Sequence, residues 1–223
     1  MTVPLNPTES SGPANCAGQA LSSSHPPDPR PPRRVLIVED DTLVGMGIKS
    51  MLERLGHVVV GQAATRQEAI ALFSSQQPDL VLMDIRLDDV DGIELTRELL
   101  TQRRCPVVIL SAYSDPELIQ RAADAGVFGY LVKPVTREAL AAQIQVAIER
   151  FEEREQLRDQ RDQAAQALEA RKLIERAKGI LMKRLKLSEP DAHRRLQIES
   201  QKRRISMTEI ARKVIESESL LGD

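Results

Sequence analysis

Aromatic side chains are scarce in this chain. Phe, Trp and Tyr together make up 2% of 223 residues, and Trp is absent. Any core must therefore be aliphatic, built from Val, Ile, Leu, Ala and Met by shape and buried area. No Phe, Tyr or Trp occurs beyond Phe151, so the last third of the chain cannot hold a ligand by stacking on those rings. Cysteine is equally sparse. Cys16 lies in a Pro/Ser-rich stretch and Cys105 precedes Pro106, which excludes a disulfide framework and fits two reduced thiols. No apolar run is long enough to span a membrane. The first thirty residues lack the basic start and apolar stretch of a secretory signal. They are rich in Pro, Ser, Asn and Gly, so residues 1–33 are expected to be a disordered tail. These absences together lead us to expect a cytoplasmic protein without a membrane anchor.

A net charge of −2 conceals a division. Arg171 to Ile215 holds 14 Lys and Arg against 5 Asp and Glu, a net of +9. The remainder holds 17 against 28, a net of −11. The split implies a basic module with an acidic partner, joined to an acidic domain.

The chain does contain short, β-branched apolar runs separated by helical patterns. Val35–Val38, Leu80–Met83, Val107–Leu110 and Phe128–Val132 read as buried parallel strands, with a further strand over 58–62. Helices are expected over 42–55, 65–75, 92–102 and 115–125 and from 136 onward. Thr65-Arg-Gln-Glu68 and Ser114-Asp-Pro-Glu117 fit the capping box. Alternation of this kind specifies a doubly wound α/β fold with a five-stranded parallel sheet.

Each run ends in polar groups. Glu39-Asp40, Asp84, Ser111 and Lys133-Pro134 follow four of the strands. Groups just past the carboxyl ends of parallel strands converge on one crevice. Three carboxylates, a hydroxyl and an ammonium there can hold a divalent cation, accept a phosphoryl group and sense its arrival. Three carboxylates alone would repel one another unless a cation paired them.

The fifth helix does not stop where a compact domain would end. From Thr136 to about Lys186 there is no Pro, and Gly179 is the only Gly. Residues 149–163 are strongly polar. Ile144, Ile148, Phe151, Leu157, Ala164, Ala165 and Leu168 are spaced too irregularly for a strict heptad, so a solvated connector and a dimer seam are both open. Two further helices follow, begun by Ser188-Glu-Pro-Asp191 and Ser206-Met-Thr-Glu209. Leu173, Ile174, Ala177, Ile180, Leu181 and Leu185 would form a small three-helix core with Ala192, Leu196, Met207, Ile210, Ala211, Val214 and Ile215.

Residues 34–148 resemble the receiver domain of two-component response regulators at the acidic pair, the strand-3 aspartate, the strand-4 Ser, the strand-5 aromatic and the Lys-Pro. The resemblance implies Asp84 as phosphoacceptor. It also implies Mg²⁺ held by Glu39, Asp40, Asp84 and the backbone carbonyl of Arg86. Lys133 would pair with the acyl phosphate, and Ser111 and Tyr130 would act as switch pair. Asp41 reads as a helix N-cap rather than a ligand, and Pro134 is expected to be cis.

Residues 169–217 resemble the ANTAR module, an RNA-binding unit of antitermination regulators. Arg171-Lys-Leu-Ile-Glu-Arg-Ala-Lys-Gly-Ile-Leu-Met182 carries that resemblance, with Leu187-Ser188, Ala192, Arg195-Leu196, Arg203-Arg204, Ile210-Ala211 and Val214. RNA contacts are expected from Lys178, Lys183, Arg184, Arg195, Arg203 and Arg204, with 149–168 as a helical linker.

The two resemblances imply a phosphorylation-controlled regulator that binds hairpins in nascent transcripts and opposes termination. Expected partners are a sensor histidine kinase, RNA hairpins and RNA polymerase, with a homodimer as the active form. No enzymatic activity is expected beyond the receiver's own phosphorylation and dephosphorylation. The alternatives are a phosphorylation-dependent DNA-binding factor and a protein-interaction adaptor.

Overall fold

The computed structural model describes residues 31–88, 90–112 and 115–221. The tail expected over 1–33 falls mostly outside them, as does Ser114. Five strands form one parallel sheet: β1 (Arg34–Val38), β2 (Val58–Ala63), β3 (Leu80–Asp84), β4 (Val107–Ser111) and β5 (Gly129–Val132). Their order is β2-β1-β3-β4-β5. The helices are α1 (Thr42–Arg54), α2 (Arg66–Gln76), α3 (Gly92–Gln102), α4 (Pro116–Asp124), α5 (Arg137–Leu185), α6 (Glu189–Arg203) and α7 (Met207–Leu221).

The inner strands β1, β3 and β4 are apolar except for one terminal residue each, because both sheet faces are covered. Successive side chains alternate between the two. Leu36, Val38, Val81, Met83, Val107 and Ile109 join Phe73 of α2 and Leu95 and Leu99 of α3. Val35, Ile37, Leu80, Leu82, Val108 and Leu110 join Ile48 and Leu52 of α1 and Leu140, Ile144 and Ala147 of α5. Both clusters are almost entirely aliphatic.

Helix starts follow local chemistry. Asp41 caps α1, accepting from the amides of Leu43 and Val44 at 2.8 and 3.2 Å. Thr65 caps α2, and Glu68 reaches back to the amide of Ala64. At α4 the cap is Asp115, which accepts from the amide of Glu117 at 2.9 Å. The expected box was one residue too early, because Pro116 already occupies the first helical position. Ser188 and Ser206 accept from the amides of Asp191 and Glu209 at the starts of α6 and α7.

α5 runs unbroken for 49 residues, about 70 Å. Its first turns cover the sheet. The segment just beyond, read as either a solvated connector or a dimer seam, still touches the α/β unit. Phe151 meets Phe128 edge-on with ring centroids 5.3 Å apart, and Arg104 grips Glu155 with contacts of 2.9 and 3.2 Å. Arg33 pairs with Glu152 at 2.9 Å. The end of α5 packs with α6 and α7 around Ala177, Leu196, Ile210 and Ala211. Leu185, expected in that core, is 55% exposed. No helix among the described residues is long and apolar enough to cross a membrane.

Candidate functional site

The strand order reverses direction between β1 and β3, the switch point at which open α/β sheets gather polar groups. Glu39 follows β1 and Asp84 ends β3; they are only 6% and 7% exposed. Asp40 beside them is half-buried. One carboxylate oxygen from each of the three lies within 4.8 Å of the other two. Lys133, just past β5, reaches across with its Nζ 2.7 Å from Glu39 Oε2 and 2.7 Å from Asp84 Oδ2. Its backbone amide donates to the carbonyl of Ser111 at 2.7 Å, and its peptide bond to Pro134 is cis.

The crevice is short of positive charge. Burial pushes the Glu39 pKa up to about 7; the bond from Lys133 opposes this and the charge of Asp84 reinforces it. Burial also works against the Lys133 ammonium, but its bonds to Asp84 and Glu39 outweigh burial and hold its pKa above the ordinary value. Three hard carboxylates facing one ammonium make a donor set suited to a small divalent cation such as Mg²⁺. Asp41 is not part of the set, since its carboxylate is spent on the α1 amides.

Ser111 is buried at the end of β4, two strands from Glu39 across β3. Tyr130 is half-buried in β5 and packs on the cluster facing α2, α3 and α4. The backbone of Arg86 bridges to Asp91, and its amide lies 3.4 Å from Asp84 Oδ1.

Two features of the crevice escaped the sequence. A Cβ on Gly92 would sit 1.8 Å from the backbone carbonyl oxygen of Asp84. The Gly92 amide donates to the Ile85 carbonyl at 2.7 Å, so α3 starts pressed against the loop carrying the aspartate. An Asp-Gly pair such as Asp91-Gly92 is a turn signal, but nothing in the sequence marks its close approach to Asp84. The second feature is Asp91 itself, which caps α3 and pairs with Arg121 of α4 at 2.7 Å.

In the basic module, Lys183, Arg195 and Arg204 are exposed, the last in left-handed backbone at φ 55 where it ends α6. Arg203 pairs with Glu199 at 3.2 Å and Arg184 approaches Glu218 at 3.7 Å. Lys178 differs from the expectation. It is 6% exposed, and its Nζ lies 2.6 Å from Glu189 and 3.0 Å from Glu175. The bonds it donates, first to Glu189 and then to Glu175, hold its pKa above the ordinary lysine value. The Ala-Lys-Gly run places this lysine on the inner edge of α5, where it ties α5 to the start of α6.

Comparison with known proteins agrees with both halves. Residues 35–145 match the response regulator receiver domain family, and residues 162–215 match the ANTAR domain family. The chain is 41% identical over 186 residues to the transcriptional regulatory protein PdtaR of Mycobacterium tuberculosis, covering 83% of this chain and 91% of that one. It is 36% identical over 110 residues to the response regulator protein VraR of Staphylococcus aureus, covering 48% of this chain and 53% of that one. Among solved structures, a CheY-like receiver domain protein from Methanospirillum hungatei superposes with a TM-score of 0.51 at 30% identity. That match covers 56% of this chain and 99% of the other.

Proposed function

The chain belongs to the response regulators that join a receiver domain to a C-terminal ANTAR domain, and from that premise we propose that phosphorylation of Asp84 controls binding of RNA hairpins. The observation that carries this reading is the Glu39–Asp40–Asp84 cluster with Lys133 bonded to two of its members. A buried carboxylate becomes a usable nucleophile toward phosphorus when developing charge is neutralised. An Asp84 oxygen attacks the phosphorus of a phosphohistidine on a sensor kinase; the new O–P bond forms as the N–P bond breaks and the histidine departs. Lys133 then pairs with the acyl phosphate as a point charge. Mg²⁺, held by Glu39, Asp40, Asp84 and the Arg86 carbonyl, would supply the remaining neutralisation. Ser111 and Tyr130 register the new charge as switch pair.

The domains we assign are 34–148 receiver, 149–168 connector and 169–217 RNA-binding module. RNA as the ligand is supported by the ANTAR match and by the +9 charge of Arg171–Ile215. Lys183, Arg184, Arg195, Arg203 and Arg204 are the contacts we assign, acting in the cytoplasm on nascent transcripts to oppose termination, in the neighbourhood of RNA polymerase. The regulator acts without catalysis on other molecules.

Intact mass after incubation with acetyl phosphate and magnesium tests the first half. The wild type should gain one phosphoryl group and Asp84→Asn none; equal gain by the variant overturns the assignment. For the second half, hairpin RNA should bind more tightly than duplex DNA at matched salt, and equal affinity removes the RNA reading.

A further inference from the structure

The C-terminal module carries an open groove of about 380 Å³ between the end of α5, α6 and α7. That volume lies in the range of small-ligand sites, about 300–1,000 Å³. Its floor is apolar: Leu181, Leu185, Leu196 and Val214. Leu185 is exposed there although it sits at a core-type position of the helix. Arg195, Arg203 and Lys213 stand around the edge, with Glu199 as the acidic group among them. Arg203 pairs with Glu199 and Lys213 lies 4.0 Å from Glu209, while Arg195 makes no ion pair with any described residue.

Resting on the RNA reading above, we propose that this groove receives one unpaired base from a hairpin loop. The module contains no Phe, Tyr or Trp, and its one imidazole, His193, does not line the groove, so a base removed from its stack there needs another flat or apolar surface. A leucine floor beside a guanidinium plane supplies both. Three cations against one carboxylate at the edge complement the phosphates that flank such a base. A paired stem would leave the floor uncovered, because its bases are stacked and its backbone reaches only the edge.

The test uses the full chain and two probes: a fixed RNA stem closed by a randomised loop, and the same stem closed by an abasic loop. Affinity is read by fluorescence anisotropy. Wild type should prefer the base-bearing loop on the order of tenfold, the scale of one stacked base. Leu185→Gln and Arg195→Ala should remove most of the preference, and Leu185→Gln should leave abasic binding unchanged. Lys183→Gln, outside the groove, should weaken both probes alike. Equal wild-type affinity for the two probes overturns the groove while leaving RNA binding intact. No binding of either probe overturns the RNA reading itself. A Leu185→Gln protein that keeps its preference, or that instead loses self-association in sedimentation, also overturns the proposal, the latter by assigning the groove to a second copy. Both residues are exposed, and circular dichroism checks that the helices persist.

Discussion

At the scale of single residues, three side chains illustrate what local chemistry decides. Gly92 has no room for a methyl group, because its would-be Cβ meets backbone rather than a movable side chain. Gly92→Ala should therefore cost roughly 3 kcal/mol or more, read as a lower urea midpoint, and should slow phosphorylation by displacing Asp84. Cys105 is 1% exposed, and burial pushes its thiol up to about 12. Alkylation needs the thiolate, so peptide mapping after iodoacetamide at pH 8 should find Cys105 unmodified in the native protein and modified in urea. Lys178 gives the sharpest division between structure and binding. A solvated lysine on a phosphate should change the salt dependence of RNA affinity by ~1 when removed, as we expect for Lys183→Gln. Lys178→Gln should leave that slope unchanged and lower the melting temperature of the module, because the lysine is held between Glu175 and Glu189.

Elements were legible where one periodicity dominated. β1, β3 and β4 are apolar at every position but one end, Arg34, Asp84 and Ser111 respectively, and fall within a residue of their sequence-based bounds. The doubly wound order followed from the same reasoning, and the Asp41 cap from the receiver resemblance. Legibility failed where a residue's role depends on a partner far away in sequence. Phe151 looked like one irregular seam residue among several, yet its partner Phe128 is at the start of β5, and Glu155 meets Arg104 51 residues away. Lys178 was expected to contact RNA because neither its burial nor Glu189 can be seen in a basic run. The Ser114 cap was placed early because Ser-Asp-Pro offers two capping residues in succession. The Phe151 and Glu155 contacts make their own prediction. Phe151→Ala should cost roughly 1–2 kcal/mol and raise hydrogen exchange over 149–158 while the sheet stays protected. Glu155→Arg should do the same more weakly, since the pair is partly exposed, and Arg104→Glu in that background should restore part of the protection.

For the whole molecule, the question is how a charge placed on Asp84 reaches a module at the other end of α5. The helix is continuous and has no Pro, so a rearrangement at its start is transmitted along it. Tyr130 in β5 and Phe128 just before it lie two residues apart, the first packed on the cluster that faces α2, α3 and α4 and the second against Phe151. A shift of Tyr130 therefore acts close to the contact that fixes α5 on the receiver. Beyond that contact, Leu157 and Leu168 are 60% and 55% exposed and stand eleven residues apart, three turns along one face. Two apolar residues are too few for a tight coiled coil but enough for a weak seam with a second copy. Phosphorylation needs to shift that association by only ~1–3 kcal/mol to alter RNA affinity several-fold or more. Sedimentation of the wild type with beryllofluoride and magnesium, which mimic the acyl phosphate, should show an increase in mass, together with tighter hairpin binding. Leu157→Glu with Leu168→Glu should abolish both increases while leaving phosphorylation of Asp84 at the wild-type rate. If beryllofluoride changes neither mass nor affinity in the wild type, the two halves are uncoupled. If the double variant still responds, α5 carries the signal within one chain, through the Phe128–Phe151 contact and not through a seam.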